Sequence, residues 1–264
     1  ITAMKKFLAF LMMAALIMTA FYSCKDDDDD DDNEVKASLI KTINFSADWN
    51  RAVSGYEFFY NANGLVTNFN RTYASEPDGA FVYDYTTAGK LKITKDGDEY
   101  NTYDINSGNL IIKEPWSDTE WSAYEYDANG YCTKVYEHWD GVDHLKYEMV
   151  ITNGNIVKMT TYDDDGTTAK RIKEFTYTTG DNVNNIQQAN VTDSDWKPVG
   201  GYYGKASKKL LDYFEYWDPR ENPIEKRKST LTYEFDAKNR PSKVTKTLYD
   251  MSTEVWDYTY YENE

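Results

Sequence analysis

The sequence is poor in the side chains that most often carry catalysis or hold metal ions. Its 264 residues include two cysteines, Cys24 and Cys132, and two histidines, His138 and His144. Structural zinc sites take four cysteine or histidine ligands, and no such set lies close together in this sequence. The histidines flank Gly141 and could face each other across a hairpin, but strand positions without a metal are the favoured interpretation. We therefore expect no metal site.

Basic side chains are scarce relative to acidic ones. Lysine and arginine number 29 against 45 aspartates and glutamates, which gives a net charge of −16 at pH 7. Binding to nucleic acid depends on basic groups that meet the phosphates. A chain with this balance is therefore not expected to bind DNA or RNA.

Long apolar runs are lacking except near the N-terminus, where Lys5 and Lys6 precede an apolar stretch from Phe7 to Phe21. This stretch is shorter than the roughly 20 residues that an α-helix needs to cross the hydrocarbon core of a bilayer. A short apolar segment behind positive charges is typical of a secretory signal peptide. We predict that residues 1–23 are such a signal.

The residues after the apolar stretch indicate how the exported protein is held. Cys24 and the small residue before it resemble the end of a bacterial lipoprotein signal, in which the cysteine receives a lipid. Lys25, Asp26, Asp27 and Asp28 resemble the lysine-acid surface-export signal of Bacteroidetes lipoproteins. The resemblance implies lipidation of Cys24, attachment to the outer membrane and exposure at the cell surface. A plain secretory signal followed by an acidic linker is the alternative.

The acidic block from Asp26 to Asp32 cannot fold by itself, because adjacent carboxylates repel one another and bury no apolar surface. We predict that residues 24–34 form a lipidated acidic tether. Residues 35–264 are then predicted to form a single β-meander or barrel domain.

A degenerate unit recurs along residues 35–264. It consists of two aromatic residues with one residue between them, a turn rich in Asp, Asn, Ala or Thr, then a glycine and an apolar residue. The copies are Phe58–Leu65, Tyr83–Ile93, Tyr103–Leu110, Tyr124–Tyr131, Met149–Ile156, Phe175–Gly180 and Tyr233–Arg240. Asn239 replaces glycine in the last copy, and asparagine is the residue that best tolerates the left-handed conformation after glycine.

Each unit predicts a β-hairpin. The flanks alternate polar and apolar residues with period two, and the turn residues supply the positive φ that tight hairpin turns need. Seven units give about 14 strands, with Val35–Phe45 and Thr253–Tyr261 as outer strands. A sheet of that length must curl, because strands twist and exposed edges are unfavourable. We therefore predict an all-β, antiparallel up-and-down meander curled into a barrel or half-barrel.

One stretch, between Trp196 and Thr230, breaks this period. Ser207 could cap a short helix whose apolar side chains, Leu210, Leu211 and Phe214, lie on one side. The sequence therefore predicts one short helical insertion near residues 205–215, which would plug or close the sheet.

The hairpin units, this insertion and the lipoprotein leader together resemble a Bacteroidetes lipoprotein family of unknown function with a porin-like fold. The units are also similar in form to the tyrosine-aspartate repeats of large secreted β-wrapping proteins. The resemblance covers roughly Val35 to Tyr261. It implies a fold and a location in the cell, and it implies no activity.

The predicted strands are too rich in charge for a transmembrane barrel, whose outer face needs an apolar band about 25 Å tall. Charged residues recur through them, for example at Lys92, Lys158, Lys173, Glu174 and Lys246. We expect the apolar and aromatic face of each strand to point inward and the charged face to point outward. We therefore do not expect a membrane pore.

Three tryptophans near loops, Trp116, Trp121 and Trp139, are candidate ligand contacts. Aromatic rings can stack on the C–H faces of sugars, although they also fill sheet cores and pair across strands. The core interpretation is favoured for any single tryptophan. These three are the best candidates for exposed contacts.

No nucleophile elbow, phosphate-binding glycine loop or Ser-His-Asp pattern is present in the sequence. We therefore predict no enzyme activity and no cofactor. The favoured function is a lipid-anchored, non-catalytic surface module that binds a glycan or a partner lipoprotein. The alternatives are a soluble barrel that holds a small apolar or aromatic ligand in its lumen and, third, an enzyme that acts on glycans.

Overall fold

Antiparallel strands make up most of the described chain. The computed structural model describes residues 39–48, 50–186, 199 and 201–262. The strands are β1 Ile40–Ala47, β2 Asn50–Tyr60, β3 Val66–Tyr73, β4 Glu76–Asp84, β5 Lys90–Lys95, β6 Asp98–Ile105, β7 Ile111–Pro115, β8 Trp121–Tyr126, β9 Cys132–Trp139, β10 Val142–Thr152, β11 Asn155–Tyr162, β12 Ala169–Asp181, β13 Lys209–Trp217, β14 Arg227–Phe235, β15 Pro241–Thr247 and β16 Thr253–Tyr260.

Each strand pairs with the strands before and after it in sequence, and β1 pairs with β16 to close the barrel. Ile43 lies opposite Tyr56 on one side and opposite Tyr258 on the other. The β1–β16 pair that closes the barrel therefore brings together the same residue types at this position as the internal β1–β2 pair. Closure leaves no exposed edge among the described strands. The predicted all-β up-and-down barrel is confirmed, with 16 described strands rather than about 14.

The turns at one end of the barrel follow the predicted unit. In four of them an Asn or Asp side chain accepts hydrogen bonds, 2.9–3.1 Å long, from the backbone N–H groups two and four residues later. The residue three positions later has positive φ; these pairs are Asn61 with Gly64, Asn106 with Asn109, Asp127 with Gly130 and Asp236 with Asn239. Asn239 thus takes the glycine role as predicted, whereas in the third unit that role falls to Asn109 and not to Gly108.

Alternation along the strands separates an inner face from an outer face. The inner face carries the buried side chains, among them Phe58, Phe69, Phe81, Leu91, Tyr103 and Val244. Phe69 and Phe81 stack with ring centroids 4.3 Å apart on adjacent strands. Apolar burial against such neighbours contributes roughly 1.5–3 kcal/mol for each fully buried side chain, so the barrel interior holds the wall together.

The helix predicted near residues 205–215 is wrong, because Lys209–Trp217 is strand β13. A bulge in its pairing with β12 sets Leu211 opposite Tyr177 but Tyr213 opposite Thr176. Two residues of β13 therefore oppose one of β12, and Leu211 and Phe214 both face inward. A bulged strand thus reproduces the three-residue spacing of a helix. Over the part of the chain that the structure describes, no helix is long and apolar enough to span a membrane.

Candidate functional site

A row of tyrosine hydroxyls ties neighbouring strands together at the end of the barrel that carries the four Asx turns. Each of these tyrosines lies near the end of a strand and donates to a carbonyl near the start of the strand before it. The pairs are Tyr60 to Ile40, Tyr85 to Val66, Tyr126 to Ile111, Tyr177 to Ile156, Tyr233 to Leu211 and Tyr260 to Pro241, at 2.5–2.8 Å. In four units the second aromatic residue, which is Tyr60, Tyr85, Tyr126 or Tyr177, therefore forms a structural hydrogen bond at this end, and in the last unit the first aromatic residue, Tyr233, does so.

Residues 201–208, which we call the plug, fill this same end. The Tyr202 hydroxyl accepts a 3.0 Å bond from the Val66 amide and also contacts the Tyr85 hydroxyl. The Ile111 amide donates to the Tyr202 carbonyl at 2.8 Å. The Ile156 amide donates to the Ser207 hydroxyl at 3.1 Å. The plug thus supplies acceptors to strand starts that would otherwise hold unpaired N–H groups.

A buried carboxylate fixes the second tyrosine of the plug. Glu114 Oε2 accepts hydrogen bonds from Tyr203 at 3.0 Å and from Tyr124 at 2.8 Å. Burial, and then the negative charge of Glu114, raises the pKa of both phenols far above the usual value. Both hydroxyls therefore keep their protons and act as donors to the carboxylate at any physiological pH.

The described residues enclose one narrow cavity between the plug and the wall. A cavity lined by Tyr83, Leu91, Ile93, Tyr103, Ile111, Tyr202 and Tyr203 offers about 10 Å³ for the centre of a water molecule. That is room for about one water. This part of the lumen does not accommodate a small organic ligand.

The opposite end, the mouth, has a different inner surface. Its inward-facing positions include six basic residues, which we call the basic mouth residues: Arg71, Lys95, Arg171, Lys173, Arg227 and Lys246. Their direction follows from the register, since each lies opposite an inward-facing residue: Tyr56, Phe81, Thr161, Met159, Tyr216 and Leu231, respectively. The same face also carries carboxylates, since Glu254 lies opposite Lys246 and Glu137 lies opposite the buried Ser122.

Aromatic rings lie beneath these cations. Arg71 and Lys95 lie over Phe81, with the charged group 5.5 and 5.9 Å from the ring centroid. Other pairs at 5.4–5.9 Å are Arg171 over Tyr216, Lys173 over Phe214, Arg227 over Tyr249 and Lys246 over Phe214 and Trp256. Each such contact contributes about 0.5–2 kcal/mol, and it holds the cation in place without neutralising its charge.

Carboxylates neutralise some of the basic mouth residues and leave others charged. Arg71 pairs with Asp78 at 2.6 Å and Lys246 pairs with Glu254 at 2.5 Å. No carboxylate of the described residues lies within 4 Å of Lys95 or Arg171. The pKa of Asp218 is lowered to about 2, chiefly by hydrogen bonds from Arg220 and in smaller part by the charge of Arg171. Arg227 also has two carboxylates nearby, Glu221 at 3.8 Å and Glu225 at 3.9 Å. Lys95 and Arg171 therefore keep positive charge that no described carboxylate within 4 Å offsets.

The three predicted tryptophan contacts all lie at the mouth but do not form one cluster. Trp116 is 51 % exposed in the β7–β8 turn. Trp121 faces outward and stacks on His138, with ring centroids 3.7 Å apart, and the Lys113 ammonium lies 3.6 Å from its ring centroid. Trp139 faces the lumen. Whether any of them touches a ligand stays a prediction.

The two histidines lie on opposite faces of the β9–β10 hairpin. His138 opposes Asp143 and binds its carboxylate at 2.7 Å, whereas His144 opposes Glu137 and stacks on Trp139 at 3.8 Å. Because adjacent strand positions alternate in direction, the two rings cannot share a ligand. Among the described residues no group of three or more His, Cys, Asp or Glu side chains could hold a metal ion.

Sequence reasoning missed the basic mouth residues. Lys173 and Lys246 were expected on the outer face, but the register places both inside, opposite Met159 and Leu231. Each could have been located because it lies two positions from an inward-facing residue of the same strand, as Lys246 does from the buried Val244. Bulges interrupt that spacing in most strands, so the signal is weak in the sequence.

The outer face of the described strands is polar at mid-height. Lys158 lies opposite Glu174, and Glu215 lies opposite Lys228. Lys92 pairs with Glu99 and Lys243 with Glu234, both at 2.9 Å. Around the plug the outer face is charged and the inner face is mainly apolar, as expected. At the mouth the inner face carries charged side chains, so the expectation fails there.

Residues 1–38 lie outside the described part of the chain. The predicted signal peptide, the lipidation of Cys24 and the export signal at Lys25, Asp26, Asp27 and Asp28 therefore stay predictions.

No family model and no curated protein matches this chain. Among solved structures, a porin-like protein from Bacteroides uniformis ATCC 8492 superposes with a TM-score of 0.64 and 15 % identity, covering 84 % of this chain and 98 % of the other. A porin-like protein from Bacteroides vulgatus ATCC 8482 gives a TM-score of 0.53 and 12 % identity, with 86 % and 100 % covered. The chain therefore shares the barrel fold of these porin-like Bacteroides proteins.

Proposed function

We propose that this protein is a lipid-anchored, non-catalytic binding module on the cell surface, and that its mouth contacts the ligand. The observation that carries the proposal is the contrast between the two ends of the lumen. At one end the cavity between the plug and the wall has room for about one water, whereas the mouth presents inward basic and aromatic side chains. Exposed sites of this kind serve binding, because charged and aromatic groups give a ligand both attraction and contact area.

The polar outer wall supports a position outside the hydrocarbon core of the membrane. Rows of charged residues such as Lys158, Glu174, Glu215 and Lys228 would each be costly against lipid. Attachment through a lipid on Cys24 needs no apolar outer band. A glycan or a partner lipoprotein is the expected ligand.

The ligand is tested with residues 35–264 on an array of neutral and acidic glycans and on immobilised outer-membrane proteins. Binding that falls at least tenfold in Trp139→Ala, whose side chain faces the lumen, but not in the outward-facing control Tyr213→Ala, supports the proposal. Absence of binding to every glycan and protein would refute it. Incubating the bound glycans and looking for shorter products tests the enzyme alternative.

The location is tested on intact cells. Cys24→Ala should release the protein from the membrane fraction, because the acyl chains provide the attachment. Replacing Asp26 to Asp32 with alanine should leave the lipid anchor in place but stop display at the cell surface, so that protease added to intact cells no longer digests the protein. Membrane association of the cysteine variant, or unchanged digestion of the alanine variant, would contradict these assignments.

A further inference from the structure

The basic mouth residues are notable because the rest of the protein carries the opposite charge. The chain has a net charge of −16, and its outer strands carry acids that alternate with lysines, as in Lys90 with Asp104 and Lys243 with Glu234. A polyanion would be repelled by the molecule as a whole. Cations that line a concave surface of such a molecule would give an anion a place to bind that the rest of the surface does not offer.

The arrangement of the cations favours an anionic partner over a structural role. Lys95 and Arg171 have no carboxylate of the described residues within 4 Å, and each lies over an aromatic ring. The buried Nε of Arg71 has no hydrogen-bond partner among the described groups, although the guanidinium also pairs with Asp78. Cations that only stabilised the fold would be expected to pair fully with acids, which this chain has in excess.

Concave geometry increases the effect of these charges. The basic residues come from strands β3, β5, β12, β14 and β15, which lie on both sides of the β1–β16 seam. They lie over aromatic side chains of the wall, including Phe81, Phe214 and Trp256. Low-dielectric walls focus the field of charges of one sign and raise the local concentration of the opposite ion.

We propose that the mouth binds an acidic glycan, through carboxylate or sulfate groups that meet the basic mouth residues and sugar rings that pack on the aromatic side chains. This inference rests on the proposed binding function and adds the charge class of the ligand. Arginine and lysine suit carboxylate and sulfate oxygens because their N–H groups form charge-assisted hydrogen bonds with them.

The test uses three polymers: dextran, dextran sulfate and polygalacturonate. Dextran and its sulfate share a backbone and differ in charge, while polygalacturonate carries carboxylates. Residues 35–264 should bind at least one of the two acidic polymers and bind dextran at least tenfold more weakly. The affinity should fall steeply as salt rises, because ionic contacts are screened.

Two double variants locate the binding. Lys95→Gln/Arg171→Gln removes two mouth charges without leaving a paired acid behind, and it should weaken binding of the acidic polymer at least tenfold. Lys158→Gln/Lys228→Gln removes two outward charges that also lie more than 4 Å from carboxylates of the described residues, and it should change binding by less than threefold. If circular dichroism shows that the Lys95→Gln/Arg171→Gln variant does not fold, Arg171→Gln alone is used in its place.

The outcomes separate this inference from the function on which it rests. Lack of binding to both acidic polymers, together with binding to a neutral glycan or a protein on the array, would overturn the acidic-ligand inference and leave the binding function in place. Equal losses in the two double variants would also overturn it, because the outer wall would then hold the polymer. No binding to any array component would overturn both.

Discussion

The hydroxyl group of Tyr202 is one of the groups that join the plug to the barrel wall. It accepts a hydrogen bond from the backbone N–H of Val66, and the backbone carbonyl of Val66 accepts one from the Tyr85 hydroxyl. Tyr202→Phe should therefore leave a buried N–H group without a partner and lower the free energy of unfolding by about 1–3 kcal/mol. Urea unfolding followed by tryptophan fluorescence measures the change.

The control for this substitution is Tyr213→Phe, on the outer face of β13. Its hydroxyl has no hydrogen bond to the described residues, so we expect a change below about 0.5 kcal/mol. Equal unfolding midpoints for the two variants would contradict the structural role of the Tyr202 hydroxyl.

The thiol of Cys132 gives a second prediction at this scale. Its side chain is buried, and burial raises its pKa to about 12. Because the thiolate is the reactive form, the folded protein should react with a thiol reagent at pH 8 at least a hundredfold more slowly than the urea-unfolded protein. Rapid labelling of the native protein would show that the β8–β9 turn region opens readily.

At the scale of structural elements, the plug approaches the wall closely at a glycine that has positive φ. Gly204 has φ +103°, and a Cβ there would lie 3.0 Å from the Cys132 amide nitrogen and 3.2 Å from the Gly130 carbonyl oxygen. Gly204→Ala should therefore displace the plug, lower the free energy of unfolding by about 2–4 kcal/mol and increase labelling of Cys132.

Gly201 offers a matched control for that substitution. It also has positive φ, +74°, but nothing lies within 4 Å of its Cβ position. Gly201→Ala should show only the backbone cost of about 1 kcal/mol, with Cys132 still protected. If both alanine variants behaved alike, backbone conformation and not the close approach to the wall would explain the effect.

The sequence predicted the elements whose pattern depends on residues that lie close together in the chain. The Asx turns at Asn61, Asp127 and Asp236 depend on residues within four positions of one another, and all were visible as repeat units. The break in the period predicted an insertion that would plug or close the sheet, but the helix assigned to it was wrong. Its bonds could not be predicted, because they join residues far apart in the chain, such as Tyr202 and Val66. The basic mouth residues escaped notice, since β-bulges shift the alternation that would assign them to the inner face.

For the whole molecule, closure depends on one pair of strands from opposite ends of the domain. Residues Ile40 and Tyr260 are partners, as are Ala47 and Glu254. A chain that ends at Asp250 lacks β16 and should expose the edges of both β1 and β15. We expect it to form soluble aggregates in size-exclusion chromatography, whereas a chain that ends at Glu262 should remain monomeric; a monomeric truncated chain would refute the role of the seam.

The seam also sets the order in which the chain can fold. Because β16 is the last strand to be synthesised, β1 has no second partner until almost the whole domain is available, and pairing between such distant residues is slow. If the predicted signal peptide directs this chain through a channel that admits only unfolded polypeptide, late closure would delay native folding until transport is complete.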